Sequence, residues 1–303
     1  MSITTISTLQ AGRVGIREYV KLQSAQMEKQ YPMLVNEINT SQEFERFRQY
    51  SEFGYAQPTD EGGLVAFDQK QLLYTADFTP IQRTLGFSVT KQAKFTDQYG
   101  VLSGYSKDIA QAFIDTKELV VANLFNNGFS ASYAGIDGVS LFNTAHPLRG
   151  ISPTWSNRGD TSGADVTFGP LGLQSMLTAA RKQRTSRNKP GRFSGKMNLV
   201  VPPDLEFPAR IIMESAGQAG TSNNDANVVK SRLNLQIVDN LTSTTAFFLM
   251  PAEKSKHGLF LLYRMPFDTD ADKDVKTGTE IYVASEEYVT GWKHAYNLQG
   301  TSG

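Results

Sequence analysis

Cysteine is absent from this 303-residue chain, and histidine occurs only three times. No disulfide can staple it, no thiolate can act as nucleophile, and no Cys-ligated zinc or iron–sulfur centre can form. Net charge is missing too: 30 Lys and Arg balance 30 Asp and Glu, so no global field draws the chain onto nucleic acid or an anionic membrane. No stretch approaches the roughly 20 apolar residues that span a bilayer. The first ten residues are polar and lack the basic and apolar regions of a secretory signal, so a product made in the cytoplasm is expected. What is present is an apolar fraction of 40%, enough for a substantial core in one large domain or two modest ones.

The apolar residues are unevenly spread. Over residues 1–50 they are sparse: Ile16, Tyr19, Val20 and Leu22, then Tyr31, Pro32, Met33 and Leu34, then Phe44, Phe47 and Tyr50. That density suits an arm lying along another surface, with a short helix after a Ser41 N-cap. From Gly54 to Ala93 the texture is β: Leu64-Val65-Ala66-Phe67, Leu72-Leu73-Tyr74-Thr75 and Leu85-Gly86-Phe87-Ser88-Val89-Thr90, separated by polar and Gly-rich turns. One or two long projecting hairpins are expected. Residues 97–127 carry the strongest helical period, with Leu102, Tyr105, Ile109, Ala112, Thr116, Leu119 and Asn123 in one row, widened by Phe113, Val120 and Leu124. Lys107, Asp108, Asp115, Lys117 and Glu118 are assigned to the opposite face. At ~1.5 Å per residue this helix would reach roughly 40 Å, the length of a structural spine.

Beyond it, Ile136-Asp137-Gly138-Val139 reads as a turn and residues 154–162 as a polar loop. A helix is expected from Pro170, with Leu173, Met176, Leu177 and Ala180 inward and cations at its end. A strand at 198–201, a helix with Leu205, Ala209, Ile212 and Ala216 on one face, a Gly/Ser/Asn loop at 217–227, and short strands at 235–238, 246–250 and 258–263 follow. A charged loop, Asp268 to Lys276, is expected before two final strands, 280–283 and 288–292. The class is α+β.

Candidate chemistry is thin. Asp137, Ser140 and His146 supply the residue types of a nucleophilic triad, but the Ser lacks its Gly-x-Ser-x-Gly elbow, and a packing role for His146 beside Pro147 is the stronger reading. His257 is expected to face solvent and His294 to serve a sheet face. Glu286-Glu287 could suggest acid/base work. The run Asp268–Asp274 imitates the start of a calcium loop without its Gly and Glu, and reads better as solvated or as an intersubunit contact. No catalytic, metal or cofactor residue is assigned.

Several strings together carry a resemblance: Gly86-Phe87-Ser88-Val89-Thr90-Lys91, the helix end Ala122-Asn123-Leu124-Phe125-Asn126-Asn127-Gly128-Phe129, Gly135-Ile136-Asp137-Gly138-Val139-Ser140-Leu141-Phe142-Asn143 with His146-Pro147, and Leu199-Val200-Val201-Pro202-Pro203-Asp204-Leu205-Glu206. In this order of parts the chain resembles the Hong Kong 97-type major capsid proteins of tailed phages, most closely the Mu-like head subunits. The resemblance implies an N-terminal arm (1–50), an E-loop hairpin (51–92), a P-domain with spine helix (93–165), an A-domain (166–276) and final strands returning to the P-domain (277–303). It implies a major capsid protein of the virion, assembling with itself in pentamers and hexamers into an icosahedral shell around double-stranded DNA. No scaffolding segment precedes the arm, so a separate scaffold protein is expected, with a portal. Lys70 lies where the founding example carries a crosslinking Lys, but the acid and Asn partners have no match, so contacts without covalent crosslinks are expected.

Assembly contacts are expected from Tyr31, Pro32, Met33 and Leu34 on the arm, from Leu64, Phe67, Lys70, Leu72 and Tyr74 on the hairpin, and from Gly217, Asn223 and Asn224 near the ring centre. The basic stretch Arg181, Lys182, Arg184, Arg187, Lys189, Arg192 and Lys196 is either DNA-facing or a solvated helix end and turn. The alternatives are an encapsulin-type compartment shell and, from another class, a soluble α+β hydrolase or ligand-binding protein.

Overall fold

The helical period around residues 97–127 becomes a 26-residue helix, α2 (Val101–Asn126), after a short α1 (Lys91–Thr96). The computed structural model describes residues 22, 24–96, 101–148, 154–191, 195–215, 217 and 227–303. Ile16, Tyr19, Val20, Arg192, Ala216, Asn223, Asn224 and the Leu102 side chain lie outside them. At ~1.5 Å per residue α2 is about 39 Å long, as expected of a spine. The buried row differs from the expected one. Ser106, Ile109, Ala110, Phe113, Ile114, Lys117, Val121, Ala122, Leu124 and Phe125 face inward, while Tyr105, Leu119 and Asn123 are exposed. Apolar residues sit on more than one side of this helix, so two neighbouring rows fit the period. Tertiary packing selects the one that delivers Phe113, Ile114 and Phe125 to the core.

The helix lies on a four-stranded sheet in the order β1 (Asn36–Asn39), β8 (Leu259–Lys273), β9 (Glu280–Trp292), β4 (Ile81–Val89). β8 and β9 form a long antiparallel hairpin, β4 pairs antiparallel with β9, and β1 runs parallel to β8. Two expectations are corrected here. The charged run 268–273 is strand and not loop, with Asp268, Asp270 and Asp272 paired opposite Ser285, Val283 and Ile281. The two short final strands are one continuous β9. Alternation explains both: Tyr282, Ala284, Glu286 and Tyr288 are buried in turn, and the strand partner carries its carboxylates on the other face.

A second sheet, in the order β10 (Gln299–Thr301), β7 (Phe247–Pro251), β5 (Met197–Val201), β6 (Leu233–Ile237), is buried on both faces. On one face, Met197, Leu199, Val201, Phe247 and Leu249 meet Leu173 and Met176 of α3 (Pro170–Lys182) and Ala209 and Ile212 of α4 (Glu206–Glu214). On the other, Val200, Phe248 and Met250 join Phe125, Leu141, Phe142 and Trp292 in the largest apolar cluster. A central strand covered on both sides reads as a continuous apolar run, and Leu199-Val200-Val201 is one.

The third sheet is a two-stranded ribbon, β2 (Glu45–Tyr50) with β3 (Leu72–Phe78). The helix expected after Ser41 is therefore a strand. Its exposure alternates residue by residue, and Phe47 packs against Phe78 and Phe260, a period of two that outweighs the weak capping signal. The expected hairpin is also redrawn: β3 pairs backwards with β2, and β4 pairs with β9 at the far end of the chain.

Candidate assembly surfaces

The ribbon β2–β3 ends in a loop, 51–71, with little to hold it together. Ser51 N–H donates to the Gln71 carbonyl at 2.8 Å, Gln71 N–H donates to Ser51 Oγ at 2.9 Å, and Gly54 N–H donates to Asp68 Oδ2 at 2.6 Å. The bond from Gly54 first, then that from Gln69 N–H and the Arg187 charge, hold the Asp68 carboxyl below the usual carboxylate range. Every residue from 55 to 72 is exposed. Leu64 keeps 96% of its surface, Phe67 94% and Val65 70%. Lys70 Nζ lies 5.2 Å from the Phe53 ring. Leu72 is half exposed, its neighbour Leu73 being the one that turns inward. Tyr74 is not at the tip: its hydroxyl donates to the Pro147 carbonyl at 2.8 Å and ties the ribbon's root to the body.

The segment Tyr31–Leu34 is placed differently from a free arm. Tyr31 and Leu34 are buried in the chain's own largest cluster, with Val121, Leu124 and Trp292; Pro32 is half-buried and Met33 exposed. Burial pushes the Tyr31 hydroxyl up to about 12. Beside it lies an ion pair that the sequence reading missed. Lys117 of α2 reaches Glu286 of β9 at 2.8 Å, with residue exposures of 5% and 0%, and Lys117 Nζ stands 5.7 and 6.0 Å from the Tyr31 and Tyr263 rings. Burial raises the Glu286 carboxyl while Lys117 pulls it down. The signal was available: Lys117 falls in the inward row Phe113, Lys117, Val121, so a cation there required a buried partner.

The basic stretch divides. Arg181, Lys182, Arg184 and Lys196 are exposed. Arg187 pairs with Asp68 at 3.2 Å and donates to the Gln69 carbonyl at 2.9 Å; Lys189 donates to the Gly54 carbonyl at 2.7 Å and lies 4.6 Å from the Tyr55 ring. Both are committed to the loop of their own chain. Gly217 is half-buried, and its carbonyl accepts from Ser215 Oγ.

The triad residues do not assemble. His146 is fully buried, stacked on Trp155 at 4.4 Å, with Nδ1 2.6 Å from Asp137 Oδ2 and Nε2 2.9 Å from Asn157 Oδ1. Ser140 Oγ instead donates to the Phe142 carbonyl and accepts from Asn143. The His146 cluster is a brace: Asn157 also donates to the Leu141 and Ala295 carbonyls, tying three loops together. His257, expected in solvent, is buried, and both its ring nitrogens lack a partner among the described residues. Burial depresses His257 and His294 to about 4 each. Glu286 and Glu287 lie on opposite faces of β9 and form no acid/base pair; Glu287 meets Arg264 at 3.1 Å. Among the described residues no group of three or more His, Asp or Glu could hold a metal ion, and no helix is long and apolar enough to cross a membrane.

A spine helix on a long β-hairpin, a second sheet flanked by two helices, and an exposed ribbon rooted between them define the Hong Kong 97 class of shell subunit. Solved shells share the fold. The capsid of cyanophage P-SCSP1u is similar at a TM-score of 0.56 and 10% identity, over 91% of this chain and 89% of its own. The mature capsid of bacteriophage PhiM1 matches at 0.55 and 10%, over 91% and 87%. A virus-like particle from Pyrococcus furiosus matches at 0.53 and 9%, over 94% and 97%. No curated protein sequence matches. A family model described as phage capsid protein matches residues 74–298, most of the chain, and the chain belongs to that family. It is a structural capsid protein, and the compartment-shell alternative is not favoured.

Proposed function

We propose that this chain is the major head subunit, and that it works by assembly without catalysis. Copies form five- and six-fold rings through the domain built on the second sheet, while α2 and the first sheet make the wall. The loop 51–71 lies over an adjacent copy. The observation that carries this reading is the run 55–72, exposed throughout and carrying Leu64 and Phe67, which nothing among the described residues covers. Apolar surface of that kind gains roughly 25 cal/mol per Å² when a neighbour buries it. Closed symmetry limits growth to a shell.

Further partners follow as part of the proposal: a separate scaffold protein, a portal, and packaged double-stranded DNA. The DNA contact would be weak and non-specific, through Arg181, Lys182, Arg184 and Lys196, since Arg187 and Lys189 are engaged elsewhere. Assembly takes place in the bacterial cytoplasm. The Mu-like assignment rests on the motifs at 86–91 and 135–143. Negative-stain microscopy and size-exclusion chromatography of the purified chain test the central claim. Closed particles or capsomer-sized rings are expected, and a compact monomer at all concentrations, with scaffold supplied, overturns it.

A further inference from the structure

The loop 51–71 has no core, so its direction depends on what its root is fastened to. Two fastenings are present. At the body end, Phe47, Phe78 and Phe260 form an aromatic cluster with centroids 4.8 to 5.7 Å apart, and Tyr74 bonds the Pro147 carbonyl. This determines where the ribbon leaves the body. Further out, the turn 184–190 makes the second fastening, through Arg187 and Lys189.

The turn is itself firmly built. Arg184 and Pro190 form a β-bridge, and Thr185 N–H donates to the Lys189 carbonyl at 2.9 Å. Asn188 takes the left-handed conformation at φ 57°, which Asn tolerates better than most residues. Its base is locked by buried Gln183, whose side chain donates to the Leu298 carbonyl at 2.7 Å and accepts from Asn297 N–H at 2.9 Å. Between the turn and the ribbon lies an open groove of about 610 Å³, lined by Tyr50, Phe53, Ser186 and Tyr296. Among the described residues, four polar contacts cross from the turn to the loop. These are the Arg187–Asp68 pair, the bonds from Arg187 and Lys189 to the Gln69 and Gly54 carbonyls, and the Lys189 ammonium over Tyr55. They grip both limbs of the loop, residues 54–55 on one and 68–69 on the other.

We propose that Arg187 and Lys189 are positioning residues: the turn 184–190 is a latch that sets the angle at which the loop leaves its own subunit, and so the place where its apolar tip meets the next copy. The proposal rests on the shell reading for its consequence but not for the contact itself. A latch of exposed polar contacts is individually weak and reversible. It biases a loop that has few other constraints, and leaves the tip free to adapt when a neighbour covers it.

Hydrogen exchange on the unassembled full-length chain tests the contact, comparing wild type with R187A/K189A. The hydrogen-bonded amides of Ser51, Gly54 and Gln71 are expected to exchange about tenfold faster in the variant, with β5, β7 and the melting midpoint unmoved. R187A/K189R, with a cation returned at position 189, should restore protection around Gly54 relative to R187A/K189A. Microscopy of assembled particles tests the consequence: the double variant should give a shifted or broadened diameter distribution. Unchanged exchange overturns the latch, and faster exchange with particles identical to wild type overturns its positioning role. Absence of particles from the wild-type chain would instead sink the shell reading, and the positioning role with it, while faster exchange in the variant would uphold the intrachain contact.

Discussion

Lys117 and Glu286 show what a single buried pair asks of its surroundings. Both charges are withdrawn from water, so removing one partner strands the other: K117M should cost about 3–5 kcal/mol in urea unfolding, and K117M/E286L should recover most of it. An unchanged midpoint for K117M would show that the pair adds nothing. The histidines make a second prediction. His257 and His294 are depressed to about 4 by burial, whereas an unfolded histidine titrates near 6.5. The unfolded chain therefore binds these protons first. Stability from the two neutral rings is complete above pH 6.5 and falls as pH drops towards 4, by on the order of a few kcal/mol for both together. Urea midpoints between pH 7 and 4 measure it, and H257Q should flatten the slope. At this scale sequence reading was weakest. It put His257 in solvent and Lys117 on the outer face, because burial of a single side chain depends on what packs over it. It was sound for His146, whose missing elbow motif left the packing role that its bonds to Asp137 and Asn157 bear out.

Among the elements, the loop between β2 and β3 carries the exposed apolar side chains Leu64, Val65 and Phe67. L64S/F67S should leave the melting of the unassembled chain within about 0.5 kcal/mol of wild type, because both side chains already face solvent. The same variant should lose particles under the microscope; full assembly would show that the tip is not a contact. In the sequence, hairpins are expected from the apolar runs 64–67, 72–75 and 85–90; the last two fall on strands β3 and β4, while 64–67 is exposed loop. The pairing of those strands was not readable. Strand pairing is settled by long-range partners, and β3 found β2 upstream while β4 found β9 about two hundred residues away. The spine helix shows the same division. Its length followed from local periodicity, but its inward row was decided by the sheet beneath it.

At the scale of the whole molecule, a chain without disulfides is held by the cores around its two four-stranded sheets and, in the shell we propose, by its neighbours as well. Assembled particles should therefore melt at a higher temperature than the unassembled chain, since association stabilises the folded subunit by mass action. Equal melting temperatures in calorimetry would mean that the contacts add little to the fold. By itself the sequence determined an α+β class and a long helix, and absent cysteine and net charge excluded thiolate chemistry and a global nucleic-acid field; the shell reading came from the family resemblance of its motifs. The class, the helix and the exclusions are properties of composition and local period, which need no partner to be expressed. Only the tertiary structure decided that Tyr31 and Leu34 belong to the subunit's own core, that His146 braces Asp137 and Asn157 while Ser140 bonds elsewhere, and that Arg187 and Lys189 contact the loop 51–71. Each of those depends on residues far apart in sequence meeting in space. The basic stretch carried the same charges in either reading; the fold turned two of them towards Asp68 and Gly54.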